Sequence, residues 1–424
     1  MTPTPQYRVL DAGTLPAYLD SLADVRRRLG ARPADWHVRE VGDGNLNLVF
    51  LVEGPEGAVC VKQALPYVRV AGPSWPMTPE RAAFEHAYFR SVGPHVAGRI
   101  PLIHHYDPQL FCLVMERLSP HIILRNGLIA GQRYPRLATH MGEYVARASF
   151  LTSDLAQPFE RKFEALALFA RNTPLIRISV DLIFADPYRV APRNRHTCPE
   201  LDTAVQDLRA DETARLAAMR MGWKFLNQPE ALVHGDLHSG SVMVTATDTR
   251  VIDPEFAFYG PIGFDLGAFL GNLLLSWYSQ PGHADGADDR RAHQEWILEQ
   301  AGEFWMSFQR EFLALWSTQA GGDAFPSSLC ERTGVAGIMQ TRRAYLDALY
   351  NDMLGFAACK MIRRIVGFAH VADLESITDR PLRARCEASA LGMARRMLAE
   401  PGRFGTIQSL LEAVAATATP PRSA

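Results

Sequence analysis

Two clusters within residues 232–265 carry side chains whose type and spacing suit phosphoryl transfer. The first reads Leu-Val-His-Gly-Asp-Leu-His at 232–238, the second Val-Ile-Asp-Pro-Glu at 251–255. A hydroxyl attacking a terminal phosphate needs a carboxylate aligned with it, and the phosphates need hard oxygen ligands for the metal that offsets their charge. Asp236, in a loop after an apolar run, is the candidate for the first task. Asp253 and Glu255 follow a second apolar run at i and i+2, so in an extended segment both side chains leave from one side. Few protein ligands of this hard type suit Mg²⁺. The plainer readings are a turn aspartate capping nearby amides and a solvated strand end. Occurrence of the clusters together favours the chemical reading. His234 and His238 are expected to hold the loop by hydrogen bonds rather than bind zinc. Asp265 is expected to N-cap a helix over Leu266–Ser276.

Other segments could serve the same chemistry. Lys62 ends a strand in Val-Cys-Val-Lys-Gln, where an ammonium could reach α and β phosphates while held by a carboxylate of the next helix, Glu85 first and Glu80 second. Gly42-Asp43-Gly44-Asn45-Leu46-Asn47 is a turn in which two glycines permit close backbone approach and Asn45 and Asn47 add donors for phosphate oxygens. On its own it is a hairpin turn. Glu116, Arg117 and Leu118 leave the last strand of the first domain, where backbone groups could meet an adenine edge or simply connect domains. Arg363 and Arg364 lie in a strongly apolar helix. Adjacent helical residues point about 100° apart, so at least one guanidinium should face protein. Burial of that charge is costly without a partner, whether a transferring phosphoryl group or a structural carboxylate.

The elements that must position these residues follow from periodicity. A helix is expected from Thr14-Leu15-Pro16 to Gly30, then strands from His37 through Lys62, a helix begun by Thr78-Pro79-Glu80, and two more strands over 102–106 and 110–115. Residues 1–118 are thus expected to form a small β-rich domain with a sheet of about five strands, the one that holds the candidate nucleotide-binding residues. Residues 119–424 read as mostly helical, with long periodic stretches at about 134–154, 199–228, 265–279, 287–317 and 337–370, plus one hairpin over 232–254 that carries the catalytic loop. The fold class is α+β, in two lobes.

Composition narrows the function. A chain of 424 residues is long for a single core. The formal charge of −2, without dense Lys/Arg runs, argues against nucleic acid or anionic membrane partners. Six scattered cysteines without a Cys-x-x-Cys pair suit buried thiols in a reducing cytosol, and neither a signal peptide nor an apolar run of ~18 residues is seen. A cytoplasmic protein is expected.

The set Lys62, Glu116 to Leu118, His-Gly-Asp-Leu-His at 234–238 and Asp-Pro-Glu at 253–255 resembles the protein-kinase-like small-molecule kinases, which include aminoglycoside and choline kinases. Gly-Asp-Gly-Asn-Leu-Asn, Val-Lys-Gln-Ala-Leu-Pro-Tyr, Ser-Trp-Pro and Ile-Arg-Arg-Ile-Val-Gly-Phe-Ala-His narrow the resemblance to the methylthioribose kinase family, over residues 37–375. Ser241 agrees, standing where the wider superfamily places a metal-binding asparagine. The resemblance implies a bilobal protein-kinase-like fold, with a small antiparallel β-sheet N-lobe carrying one main helix and a larger helical C-lobe. It also implies ATP-dependent phosphorylation of the 1-hydroxyl of methylthioribose in methionine salvage, with Mg²⁺, and a homodimer. Asp236 would be base and substrate ligand, and Arg363 and Arg364 the twin arginines at the substrate. Asp253, Pro254 and Glu255 would carry the metal and nucleotide, with Asn45 or Asn47, Lys62, Glu85 and the Glu116–Leu118 linker as further nucleotide contacts. Trp75 would belong to a loop over the nucleotide. An aminoglycoside, choline or homoserine acceptor, or a catalytically dead nucleotide-binding scaffold, remain alternatives.

Overall fold

The computed structural model describes residues 7–30, 32–42, 46–69, 72–96 and 98–418. The chain divides into two compact units, Met1–His121 with Arg250–Ala257, and Ile122–Thr249 with Phe258–Ala424. The short segment that carries Asp253 and Glu255 therefore groups with the sheet-bearing unit, whereas the sequence reading assigned everything after residue 118 to the helical domain.

The first unit is built on an antiparallel sheet of β1 (His37–Glu40), β2 (Asn47–Glu53), β3 (Ala58–Ala64), β4 (Ile103–Asp107) and β5 (Cys112–Glu116), in the order β1-β2-β3-β5-β4. Side chains alternate across a strand, and β3 shows what that accomplishes. Val59 and Val61 join Phe50, Val52 and Val114 in a core with α1 (Leu15–Asp20) and α2 (Ala23–Leu29). Cys60 and Ala64 pack with Ala82, Leu113 and Met115 in a second cluster. Ala82 belongs to α3 (Arg81–Val92). Lys62, in phase with Cys60 and Ala64, is thereby turned toward α3.

Three local expectations fail. The first helix is broken in two, because the Ser21 hydroxyl donates to the Tyr18 carbonyl at 2.6 Å and Leu22 turns extended. Thr78 does not cap α3; its hydroxyl accepts from the Glu80 amide ahead of the first turn. Nor are the six cysteines all buried: Cys112, Cys359 and Cys386 are, Cys60 and Cys330 are half-buried, and Cys198 is exposed. All six are free thiols.

The second unit is mainly helical. Long helices occupy Leu137–Phe150, Glu212–Asn227, Ile262–Ser279, Arg291–Thr318, Val335–Val366 and Arg380–Ala399. The stretch 199–228 is two helices, Asp202–Ala210 and Glu212–Asn227, because the Asp211 carboxylate starts a new helix by accepting from the Ala214 amide. The helix Ile262–Ser279 is buried along its whole length. It lies against Val335–Val366 at backbone contact, made possible by glycine: a Cβ on Gly267 would stand 2.6 Å from the Ala357 nitrogen and 2.7 Å from the Met353 carbonyl oxygen. The β segments of 232–254 do not form a single hairpin around the Asp236 loop. Ala231–Val233 pairs with Phe258–Gly260, while Val242–Val244 stands between Ile122–Ile123 and Thr249–Val251 in a three-stranded sheet. Three-residue strands bury too little to specify a partner alone, and tertiary packing selects among near and distant ones.

Candidate active site

In the first unit the acidic segment meets α3 and β3. Lys62 Nζ lies 2.7 Å from Glu85 Oε2 and 2.5 Å from Asp253 Oδ1. Glu85, the preferred partner, is thus the one used. Four residues before it, one helical turn away, the fully buried Arg81 pairs with Glu255 at 3.2 Å and donates to the carbonyls of Leu46, Leu65 and Thr78. Asn47 joins the two: its amide nitrogen donates to Glu255 at 2.9 Å while its oxygen accepts from Arg81. The Asn47 side chain, expected at the nucleotide, here orients Glu255. Asn45 lies outside the described residues.

Burial pulls the Lys62 ammonium down, but Asp253, Glu85 and Glu255 outweigh it and hold Lys62 above the ordinary lysine range. Three carboxylates, those of Glu85, Asp253 and Glu255, face two cations, Lys62 and Arg81. An excess of carboxylate with hard oxygens fits a divalent cation, and Asp253, its side chain 45% exposed, is the more accessible ligand. The segment is not extended as expected. Asp253 adopts the left-handed conformation (φ 63°, ψ 44°) and Pro254 opens a 3-10 turn, so the two carboxylates are set by a sharp turn rather than strand alternation. Among the remaining candidates, Glu116 accepts from the Leu102 amide at 3.1 Å, Arg117 pairs with Glu53, and Leu118 is half-buried. Trp75 is half-buried, its carbonyl accepting from the Val68 amide.

In the second unit Asp236 occupies a loop fastened by its neighbours. Asp265 is not an N-cap: it lies inside the helix Ile262–Ser279, where its two oxygens accept from the amides of His234 (2.6 Å) and Gly235 (3.1 Å). The helix begins earlier, at Pro261-Ile262, and Glu230 supplies its cap by accepting from the Ile262 amide. His234 Nδ1 accepts from the Asp236 amide, and His238 Nδ1 from the Gly240 amide. Both histidines hold the loop, as expected. Ser241 donates to the Asp236 carbonyl at 3.0 Å. Burial pulls His238 down to about 4, so its imidazole is neutral near pH 7. With Nδ1 accepting, its proton sits on Nε2, which faces Asp236 Oδ2 at 3.4 Å.

Around the Asp236 carboxylate stand three cations of the helix Val335–Val366. Lys360 Nζ is 3.0 Å from Oδ1, Arg364 Nη2 is 3.9 Å from the same oxygen, and the Arg363 guanidinium adds its field. Burial alone would raise the Asp236 carboxyl, but Lys360, His238 and Arg364 hold it well below the usual carboxylate range. Arg364 also donates to the Ala369 carbonyl. Lys360 escaped the sequence reading because a lone lysine in an apolar helix carries no motif. Its signal was spacing: Lys360 precedes Arg364 by four, as Arg81 precedes Glu85, and such pairs share a helix face.

A five-stranded antiparallel sheet bearing a Lys–Glu pair and an acidic turn, with a helical unit holding a fastened, cation-ringed aspartate, defines a kinase-like small-molecule phosphotransferase. The sequence comparisons agree. A family model described as the phosphotransferase enzyme family matches residues 37–305. Methylthioribose kinase of Escherichia coli O45:K1 is 44% identical over 96% of this chain and 97% of its own. Methylthioribose kinases 2 and 1 of Oryza sativa subsp. japonica are 41% and 42% identical, each over 96% of this chain and over 95% and 94% of theirs. The chain belongs to the phosphotransferase enzyme family and, within it, to the methylthioribose kinases.

Proposed function

We propose that this protein transfers the terminal phosphoryl group of ATP to the 1-hydroxyl of methylthioribose, a step of methionine salvage. One structural observation carries the choice of acceptor: the Asp236 carboxylate is surrounded by Lys360, Arg363 and Arg364. Two further carboxylates of this unit are engaged, Asp265 by two loop amides and Asp373 by Arg125 at 2.9 Å. A choline or aminoglycoside acceptor would bring another cation to this cluster, where like charges are poorly screened. A neutral sugar avoids that repulsion, and the excess positive charge favours the phosphoryl group in transfer.

In the reaction the acceptor oxygen forms a bond to the γ-phosphorus while the bridging P–O bond breaks, and ADP leaves with that electron pair. The hydroxyl proton passes to Asp236 and then to solvent. Lys62, kept in place by Glu85, serves the nucleotide phosphates, with the Glu116–Leu118 backbone toward the adenine. Asp253 and Glu255 would hold Mg²⁺, which lowers the charge of the phosphates it binds. The free, partly exposed thiols suit the cytoplasm, and a homodimer is part of the reading.

The test is ADP release, followed in a coupled assay, with methylthioribose, choline, homoserine and an aminoglycoside as acceptors. Methylthioribose should exceed the others by at least about 100-fold in kcat/KM, a difference of ~2.7 kcal/mol, with ³¹P and ¹³C NMR placing phosphate on C1. Preference for an amine acceptor, or phosphate on another hydroxyl, would overturn the reading.

A further inference from the structure

We infer that Lys360 is a positioning residue for phosphoryl transfer: it pins Oδ1 of Asp236 and reserves Oδ2 for the acceptor hydroxyl. The inference rests on the proposed reading of Asp236 as the group that meets the acceptor. Lys360 is 3% exposed at its side chain, while Asp236 retains 20%. The lysine therefore approaches from the protein side, and the carboxylate alone reaches outward. Its ammonium is 3.0 Å from Oδ1 and 4.4 Å from the centre of the Phe264 ring, a cation–π contact that fixes the donor from a second direction. Phe264 and the loop-fastening Asp265 are neighbours on the same helix. The two contacts of Lys360 thus hold the carboxylate in a defined rotation.

The two oxygens consequently face different surroundings. Oδ1 meets Lys360 and, at 3.9 Å, Arg364, whereas among the described residues Oδ2 receives a longer and weaker contact, from His238 at 3.4 Å. A carboxylate rotating freely would present either oxygen to the hydroxyl, and misalignment of about 1 Å at a reacting centre costs up to ~10²-fold. The charged groups around Asp236 are Lys360, Arg363 and Arg364 from the helix Val335–Val366 and His238 from its own loop. Asp265, from Ile262–Ser279, also senses Lys360, and Arg125, with its partner Asp373, acts on Arg364 and His238. Among these Lys360 makes the shortest contact with the carboxylate, at 3.0 Å against 3.4 Å for His238.

The experiment compares wild type with Lys360→Met, Lys360→Gln and Lys360→Arg, each checked for folding by thermal melting. Lys360→Met should lower kcat about 10- to 100-fold with KM for ATP changed less than threefold. It should also move the acid limb of the kcat profile to higher pH, since Asp236 then titrates nearer to an ordinary carboxyl. Lys360→Arg should return part of kcat and move the limb back. Should Lys360→Met not fold, Lys360→Gln gives the same reading. A kcat within twofold of wild type and a coincident acid limb would overturn the inference. The profile is read with whichever acceptor wild type phosphorylates, so a wrong substrate leaves it intact. The Asp236 carboxyl, titrated by ¹³C NMR in aspartate-labelled protein, reads the contact with no acceptor at all; an unmoved titration in Lys360→Met refutes it.

Discussion

Replacing Asp236 with asparagine separates the chemistry of the carboxylate from its structural charge. Asparagine keeps the shape, and its oxygen can still accept from Lys360, but the variant neither takes a proton nor carries charge. General-base assistance contributes ~10²- to 10⁴-fold, or about 2.7–5.4 kcal/mol at 1.36 per decade. The structural effect is separate. At 3.0 Å the Lys360–Asp236 attraction is about 5.5 kcal/mol for an effective dielectric of ~20, but the buried lysine is already lowered by its own desolvation and by Arg363 and Arg364. Without Asp236 it can discharge instead of remaining an unpaired cation. The net destabilisation should therefore stay near 1–3 kcal/mol, the range for a damaged buried polar contact. Asp236→Asn should melt as a folded protein, somewhat below wild type, bind ATP within a factor of about three by calorimetry, and lose at least ~100-fold in kcat. Turnover within tenfold of wild type would refute the assignment of Asp236 as base. Loss of the folded state would refute the argument that Lys360 can discharge.

Three other outcomes follow from the same geometry. Lys62→Met should reduce kcat/KM for ATP by about 10²-fold, measured by steady-state kinetics, while the acceptor KM hardly moves. Gly267→Ala should cost about 1–3 kcal/mol by overpacking, seen as a lower melting temperature, and reduce kcat because its Cβ would displace the backbone of the helix that carries Lys360. Asp236, whose folded carboxyl lies below its ordinary 3.8, contributes stability that is present above that value and lost as pH falls through the folded value. The unfolding free-energy difference between wild type and Asp236→Asn should thus shrink as pH falls below about 4, and shrink again as pH rises through the range in which the variant's Lys360 discharges, in urea titrations.

The sequence disclosed the fold where elements were long. Alternation over β2 and β3 and helical periodicity over residues 291–318 and 335–366 left little choice of element. It was ambiguous where elements were short, as in the strands around the Asp236 loop, whose partners depend on tertiary packing. The site was legible wherever a motif placed its residues close in sequence, as with Asp236, Asp253 and Glu255. Lys62 with Glu85 was also legible, because strand phase and the next helix confine the choice. Arg81 and Lys360 were missed: a charge buried by its tertiary surroundings looks, in sequence, like any charge on a solvated face. Asp265 was found but misassigned, since an acid near a helix start reads as a cap unless the distant Glu230 is known to fill that role.

The helix Ile262–Ser279 touches both halves of the Asp236–Lys360 pair. Its Asp265 holds the amides leading to Asp236, its Phe264 lies under Lys360, and its Gly267 seats the helix from which Lys360 projects. Asp236 and Lys360 are thus measured from a single datum within one turn of helix. Errors elsewhere in the unit shift both together and leave their separation unchanged, so drift in the surrounding helices can accumulate without detuning the carboxylate.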